Sequence, residues 1–132
     1  MIGLDTNVLL RYVLKDDRAQ YAVVKRLIDS GVAGEESFLV GNVVLCEFVW
    51  VLSKHYRYTR AEISRTLEQI LSTEGLVFED LDTALGALTD YQATTADFAD
   101  GVIGRTHRRL DAVHTATFDR DLKALDTFRV LS

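Results

Sequence analysis

Five short strand-like runs, separated by stretches with helical periodicity, constrain this chain more than any other feature. They are Ile2-Gly3-Leu4, Ser37-Phe38-Leu39-Val40, Leu76-Val77-Phe78, Ala112-Val113-His114-Thr115-Ala116-Thr117 and Phe128-Arg129-Val130-Leu131. Short apolar strands that alternate with helices imply an α/β fold whose parallel sheet is covered on both faces.

The helices are marked by their ends. Asn7 to Leu14 reads as the first. Asp16-Asp17 precede a second, with Ala19, Ala22, Val23, Leu27 and Ile28 on one face and Gly31 and Gly34 at its end; acids at a helix start suit its dipole. Asn42 is placed to cap a third helix running to about Tyr56. Thr59 and Glu62 have the spacing of a capping box for a fourth. Asp82 is placed to cap a fifth helix, a sixth covers Asp97 to Leu110, and Asp119 to Leu125 forms a short seventh. There is no repeat and no linker, and with 132 residues the chain is expected to form a single domain.

Composition narrows the classes. Apolar residues make up 48% and charged residues 27%, which excludes disorder and a disulfide mini-protein. Cys46 is the only cysteine, so no intrachain disulfide can form and a reducing, cytoplasmic setting is expected. The net charge of −5 argues against a non-specific DNA binder, though not against an enzyme that meets nucleic acid through metal ions. No signal peptide is visible, and the longest apolar stretch, Val43 to Leu52, is interrupted by Glu47 and far short of the ~20 residues that cross a bilayer.

Several acids need explaining. Asp5 directly follows the first strand, and open parallel sheets bind ligands beyond the carboxyl ends of their strands; a plain helix cap accounts for it equally well. Glu47 stands among Val43, Val44, Leu45, Cys46, Phe48, Val49, Trp50, Val51 and Leu52. A helix this apolar is expected to be buried on most faces, where a lone carboxylate costs several kcal/mol without a cation; the other reading puts Glu47 at an exposed edge. Asp97 and Asp100 share a helix face. Asp97 suits the helix start, while Asp100 precedes Gly101-Val102-Ile103-Gly104, whose glycines suggest close approach to the sheet, so Asp100 is the favoured ligand. Asp119, beside Thr117 and Asp121, follows a strand as Asp5 does and could also serve as a cap. Hard oxygen ligands without Cys/His clusters select Mg²⁺ or Mn²⁺, and a pair of such ions suits phosphodiester hydrolysis.

Met1-Ile2-Gly3-Leu4-Asp5-Thr6-Asn7-Val8-Leu9-Leu10, Glu47 in its Val/Leu/Trp helix, Asp97-Phe98-Ala99-Asp100 and Thr117-Phe118-Asp119-Arg120-Asp121 together resemble the PIN-domain ribonucleases, most closely the VapC-type toxins of toxin–antitoxin pairs. The resemblance covers essentially the whole chain. It implies a three-layer sandwich with a five-stranded parallel sheet and about seven helices, and a metal-dependent endoribonuclease acting on structured RNA such as tRNA. It assigns Asp5, Glu47, Asp100 and Asp119 as catalytic acids and metal ligands, Asp97 as a further ligand, and Thr6, Asn7 and Thr117 as supporting polar groups. It also implies a homodimer and a VapB-like antitoxin partner. Gly101 and Gly104 depart from the pattern, standing where alanine is commoner.

Grips for an RNA backbone could come from Lys15, Arg18, Lys25 and Arg26, from Lys54, His55, Arg57 and Arg60, or from Arg105, Arg108 and Arg109. Tyr56 and Tyr58 interleave the second group and could stack on bases. Cys46 reads as a small buried hydrophobe, and Phe48 and Trp50 as core or dimer interface. Two other classes fit less well. An aspartyl-phosphate phosphotransferase needs Asp-x-Asp, but Asn7 fills the second position. A non-catalytic metal- or partner-binding module would not need every acid kept.

Overall fold

The computed structural model describes residues 1–132, which form two compact units, Met1–Leu81 and Asp82–Ser132.

The first unit contains β1 (Ile2–Gly3), α1 (Thr6–Leu14), α2 (Arg18–Ala33), β2 (Phe38–Val40), α3 (Asn42–Lys54), α4 (Arg60–Leu71) and β3 (Leu76–Phe78). The strands pair in parallel in the order β1-β2-β3, with Ile2 opposite Phe38 and Phe38 opposite Leu76. Each parallel step needs a crossover, and two helices supply each one. β2 is central, and Phe38 and Val40 are fully buried, as a strand covered on both faces requires. The core is completed by Leu9 and Leu10 of α1, Val24 and Ile28 of α2, Leu45, Phe48 and Leu52 of α3, and Ile63, Leu67 and Ile70 of α4. In α2, α3 and α4 these positions are three or four apart, one stripe per helix.

Caps fix the helix starts. Asp17 accepts the Gln20 N–H at 3.0 Å, and Thr59 and Glu62 exchange the two bonds of a capping box. The expected Asn42 cap is not formed. Gly41 is the cap residue, Asn42 is the first residue of α3, and its N–H is met by the Glu79 carboxylate at 3.0 Å. α2 runs past Gly31 and ends at Ala33 with Gly34 as its C-cap; Gly31 lies against the Phe38 ring, where a side chain would collide.

The second unit holds most of α5 (Leu81–Ala93), then α6 (Phe98–Arg109), β4 (Thr115–Thr117), a 3₁₀ helix (Arg120–Ala124) and β5 (Phe128–Val130). Asp82 lies inside the first turn of α5 and is not its cap. β4 and β5 pair in parallel, Thr115 opposite Phe128 and Thr117 opposite Val130. Ala96, Leu122 and Leu125 form a small core with Phe128 against it.

The hydrogen-bonded strands therefore make a three-stranded and a two-stranded sheet, not one sheet of five. β1 contributes only two paired residues, and β4 is Thr-Ala-Thr, too polar for a strand buried on both faces. The expected strand from Ala112 starts only at Thr115. The N–H groups of Leu110, Asp111 and Ala112 bond back to carbonyls of α6, and Asp111 takes a left-handed φ of 69°. There are six α-helices, and the expected seventh is the 3₁₀ helix. No helix is long and apolar enough to cross a membrane.

The two glycines of α6 mark real close approaches. A Cβ at Gly101 would sit 3.1 Å from the Ala87 backbone of α5, and one at Gly104 would strike the Thr127 hydroxyl and the Phe128 ring. Two glycines in a helix each cost roughly 1 kcal/mol relative to alanine; here they let α6 lie flush against its neighbours.

Candidate active site

The carboxyl ends of the first unit's strands carry polar groups. Asp5 follows β1 and is the N-cap of α1, its Oδ1 accepting the Thr6 N–H at 2.8 Å. Capping occupies one oxygen and leaves the exposed carboxylate free to act elsewhere. Thr6 is buried and its hydroxyl has no partner; Asn7 beside it is exposed. After β2 comes Asn42, also buried, with an unpartnered side-chain carbonyl. After β3 comes Glu79, which holds the Asn42 backbone. Asn42 and Glu79 are missed by the sequence reading. The signal for both was position: each stands just past a strand end, as Asp5 does.

Glu47 corrects an expectation. α3 is not buried on most faces: Val43 is 81% exposed and Trp50 55%, and Glu47 is exposed between them. These positions are four and three apart, so they line one open face, while Leu45, Phe48, Val49 and Leu52 fill the core. Glu47 is therefore solvated, and no burial penalty demands a cation there.

The second unit gathers three acids. Asp97 is the N-cap residue of α6 by backbone conformation, yet its side chain makes no capping bond. Asp100, in the first turn, is half-buried. Its carboxyl titrates above the ordinary aspartate range, first through burial and then through the charges of Asp97 and Asp119; only the Asp97 backbone N–H works against this. Asp119 caps the 3₁₀ helix, accepting the Asp121 N–H at 2.9 Å, and its own N–H donates to the Thr117 hydroxyl at 3.0 Å. Thr117 thus steadies the Asp119 backbone.

The sequence-predicted acids are thus divided, Asp5 and Glu47 in the first unit, Asp97, Asp100 and Asp119 in the second. Within neither unit do three or more His, Cys, Asp or Glu converge closely enough to hold an ion. The second-unit trio is close enough to repel, and its donors are all hard oxygens of the kind Mg²⁺ and Mn²⁺ take.

This repulsion predicts a stability signature. A carboxyl whose folded pKa is raised destabilises the fold as pH climbs from its unfolded to its folded value, and the penalty is complete above that. Asp100→Asn fixes the neutral form. The metal-free variant is expected to melt a few degrees above the parent at neutral pH, a gain of roughly 1 kcal/mol at most for a part-solvated group. The gap should close on acidification below the aspartate range; an equal or lower melting temperature at neutral pH would refute the repulsion.

Other candidates are accounted for. Burial pushes the Cys46 thiol up to about 11, so it is no nucleophile. Arg105 forks onto Asp90 at 2.9 and 2.8 Å, and Arg108 pairs with Asp126 at 3.0 Å. Tyr56 donates its hydroxyl to Asp16 at 3.1 Å, with Arg11 on the same carboxylate. Lys25 pairs with Asp29. Phe48 is core, whereas Trp50 is exposed and meets His55 edge-on at 5.5 Å.

A family model described as the PIN domain matches residues 2–127, through both units. No curated protein matches the sequence significantly.

Proposed function

The chain belongs to the PIN-domain family, whose members are generally nucleases, and from that premise we propose that it is a divalent-metal-dependent endoribonuclease and the toxin of a VapC-type toxin–antitoxin pair. What supports the metal dependence is the placement of three hard-oxygen donors, Asp97, Asp100 and Asp119, in one unit, with Asp100 half-buried and repelled by the charges of the other two. The proposed ligands are Asp5, Glu47, Asp97, Asp100 and Asp119. Both units belong to the single domain proposed, which the extent of the family match supports.

Bound Mg²⁺ or Mn²⁺ would reverse the sign of this acidic region toward phosphate and make water a nucleophile near neutral pH. The protein's own part is positional. Asp5 is fixed by its cap bond, Asp119 by Thr117, and Asp97 and Asp100 by the first turn of α6. Hydrolysis adds water across one P–O bond: the attacking water loses a proton and the departing ribose oxygen gains one. Structured RNA such as tRNA is the proposed substrate, a VapB-like antitoxin the proposed inhibitor, a homodimer the proposed state and the cytoplasm the proposed setting.

The test is incubation of the purified protein with total RNA and Mg²⁺ or Mn²⁺, followed by sequencing of new ends. Discrete ends are expected with either ion and none in excess EDTA. Undiminished cleavage in EDTA would exclude the metal mechanism. Metal binding by calorimetry without cleavage of any RNA would instead favour the non-catalytic module.

A further inference from the structure

The second unit contains both ion-paired and unpaired cationic side chains. Arg105 and Arg108 are held by Asp90 and Asp126. Arg120 and Lys123 of the 3₁₀ helix and Arg129 of β5 have no ion pair, and all three are exposed. They are not scattered. They line one cleft of about 530 Å³ together with the apolar Phe128, Val130 and Leu131 and with Ser132, the last residue, whose backbone carboxylate is the one acidic group of a lining without Asp or Glu. In a chain with net charge −5, three unpaired cations around one concavity are a local reversal of sign.

We infer that this cleft is a phosphate-gripping subsite for the RNA substrate, with Arg120, Lys123 and Arg129 contacting successive backbone phosphates and the apolar lining receiving a sugar or base. The inference rests on the nuclease reading. Its position supports it: Arg120 directly follows Asp119, so a strand held in the cleft would lead to a proposed ligand of the reaction centre. The apolar lining favours a nucleic acid over a bare anion, since nucleotides bring flat apolar faces as well as charge. The volume falls within the range of small-ligand pockets and suits one or two nucleotides.

The test measures RNA binding across a salt series by fluorescence polarisation, in a cleavage-inactive Asp5→Asn background with Mg²⁺ present. The comparison is between Arg120→Ala/Lys123→Ala/Arg129→Ala and Arg11→Ala/Arg65→Ala, which removes cations that belong to none of the candidate grips. The cleft variant is expected to bind about tenfold or more weakly and to lose about two units of log–log salt slope, given about 0.7 per phosphate contact on single strands. The control variant should keep its slope, and Arg120→Lys/Arg129→Lys should restore most of the cleft's. Equal slope loss per charge removed in the two variants, or preferential displacement of RNA from the cleft by an acidic peptide, would overturn the subsite while leaving the nuclease reading intact. Slope loss confined to the cleft variant, when the parent protein with Asp5 intact cuts no RNA, would support the subsite and remove the nuclease. Absence of any RNA binding would overturn both.

Discussion

Asp5→Asn is expected to remove RNA cleavage almost completely and leave the fold untouched. The two halves of this expectation have separate causes. Asp5 caps α1 through Oδ1, and asparagine presents the same oxygen to the Thr6 N–H, so capping survives. What disappears is the negative charge on an exposed carboxylate just past β1. If Asp5 is a ligand, its neutral replacement should lower the rate by about a thousandfold, equivalent to roughly 4 kcal/mol of transition-state stabilisation. Asp5→Ala is the informative companion. It should lose cleavage to the same extent but also about 1 kcal/mol of stability, because the cap is gone. Initial rates on a mapped RNA and thermal melts check both halves, and an Asp5→Asn enzyme that cuts at the parent rate would remove Asp5 from the reaction.

Phe98→Ala carries the largest expected loss of stability. Phe98 is 1% exposed and meets the Tyr91 ring edge-on, with centroids 6.4 Å apart. Truncating a buried phenylalanine costs about 3–5 kcal/mol through lost burial and the cavity left behind, a fall in melting temperature of about 10 °C or more at this size. The effect should extend to chemistry. Phe98 is the first residue of α6, directly after Asp97 and two before Asp100, so its ring anchors the turn that holds both acids. Calorimetric titration with Mn²⁺, well below the melting temperature, should show weaker binding in Phe98→Ala and near-parent binding in Phe98→Leu. Unchanged Mn²⁺ affinity in a destabilised Phe98→Ala would show that the acids are positioned by something else.

The sequence was most readable where local and tertiary requirements coincide. Phe38-Leu39-Val40 is apolar throughout and is the central strand. Thr59 and Glu62 advertise a cap that needs no distant residue, and it forms. The glycines of α6 announced close packing against the sheet, and Gly104 does meet Thr127 and Phe128 at β5, but Gly101 meets Ala87 of helix α5 instead. Readability failed where a distant residue decides. Nothing near Asn42 reveals that Glu79, 37 positions on, takes over the cap. α3 misled because Val43 and Trp50 are apolar yet exposed, and composition cannot tell an open face from a packed one. The single five-stranded sheet was what the family resemblance implied, and the hydrogen-bonded strands form three and two; the polarity of Thr115-Ala116-Thr117 was the available warning. Of the site, Asp5, Asp97, Asp100 and Asp119 could be named from their places at strand ends and a helix start, whereas Glu47 was singled out for a burial that α3 does not give it; the structure sets Asp100 within repulsion of Asp97 and Asp119. The orphaned Thr6 and Asn42 groups became visible only with burial known.

The flush contacts of α6 also bear on how this chain can vary. At Gly101 and Gly104 every alternative amino acid brings at least one carbon, and that carbon meets backbone or a side chain already in place. The helix that carries Asp97 and Asp100 therefore accepts change on its outer surface more readily than along this seam, and at Gly101, where the approach is 3.1 Å, more readily than at Gly104.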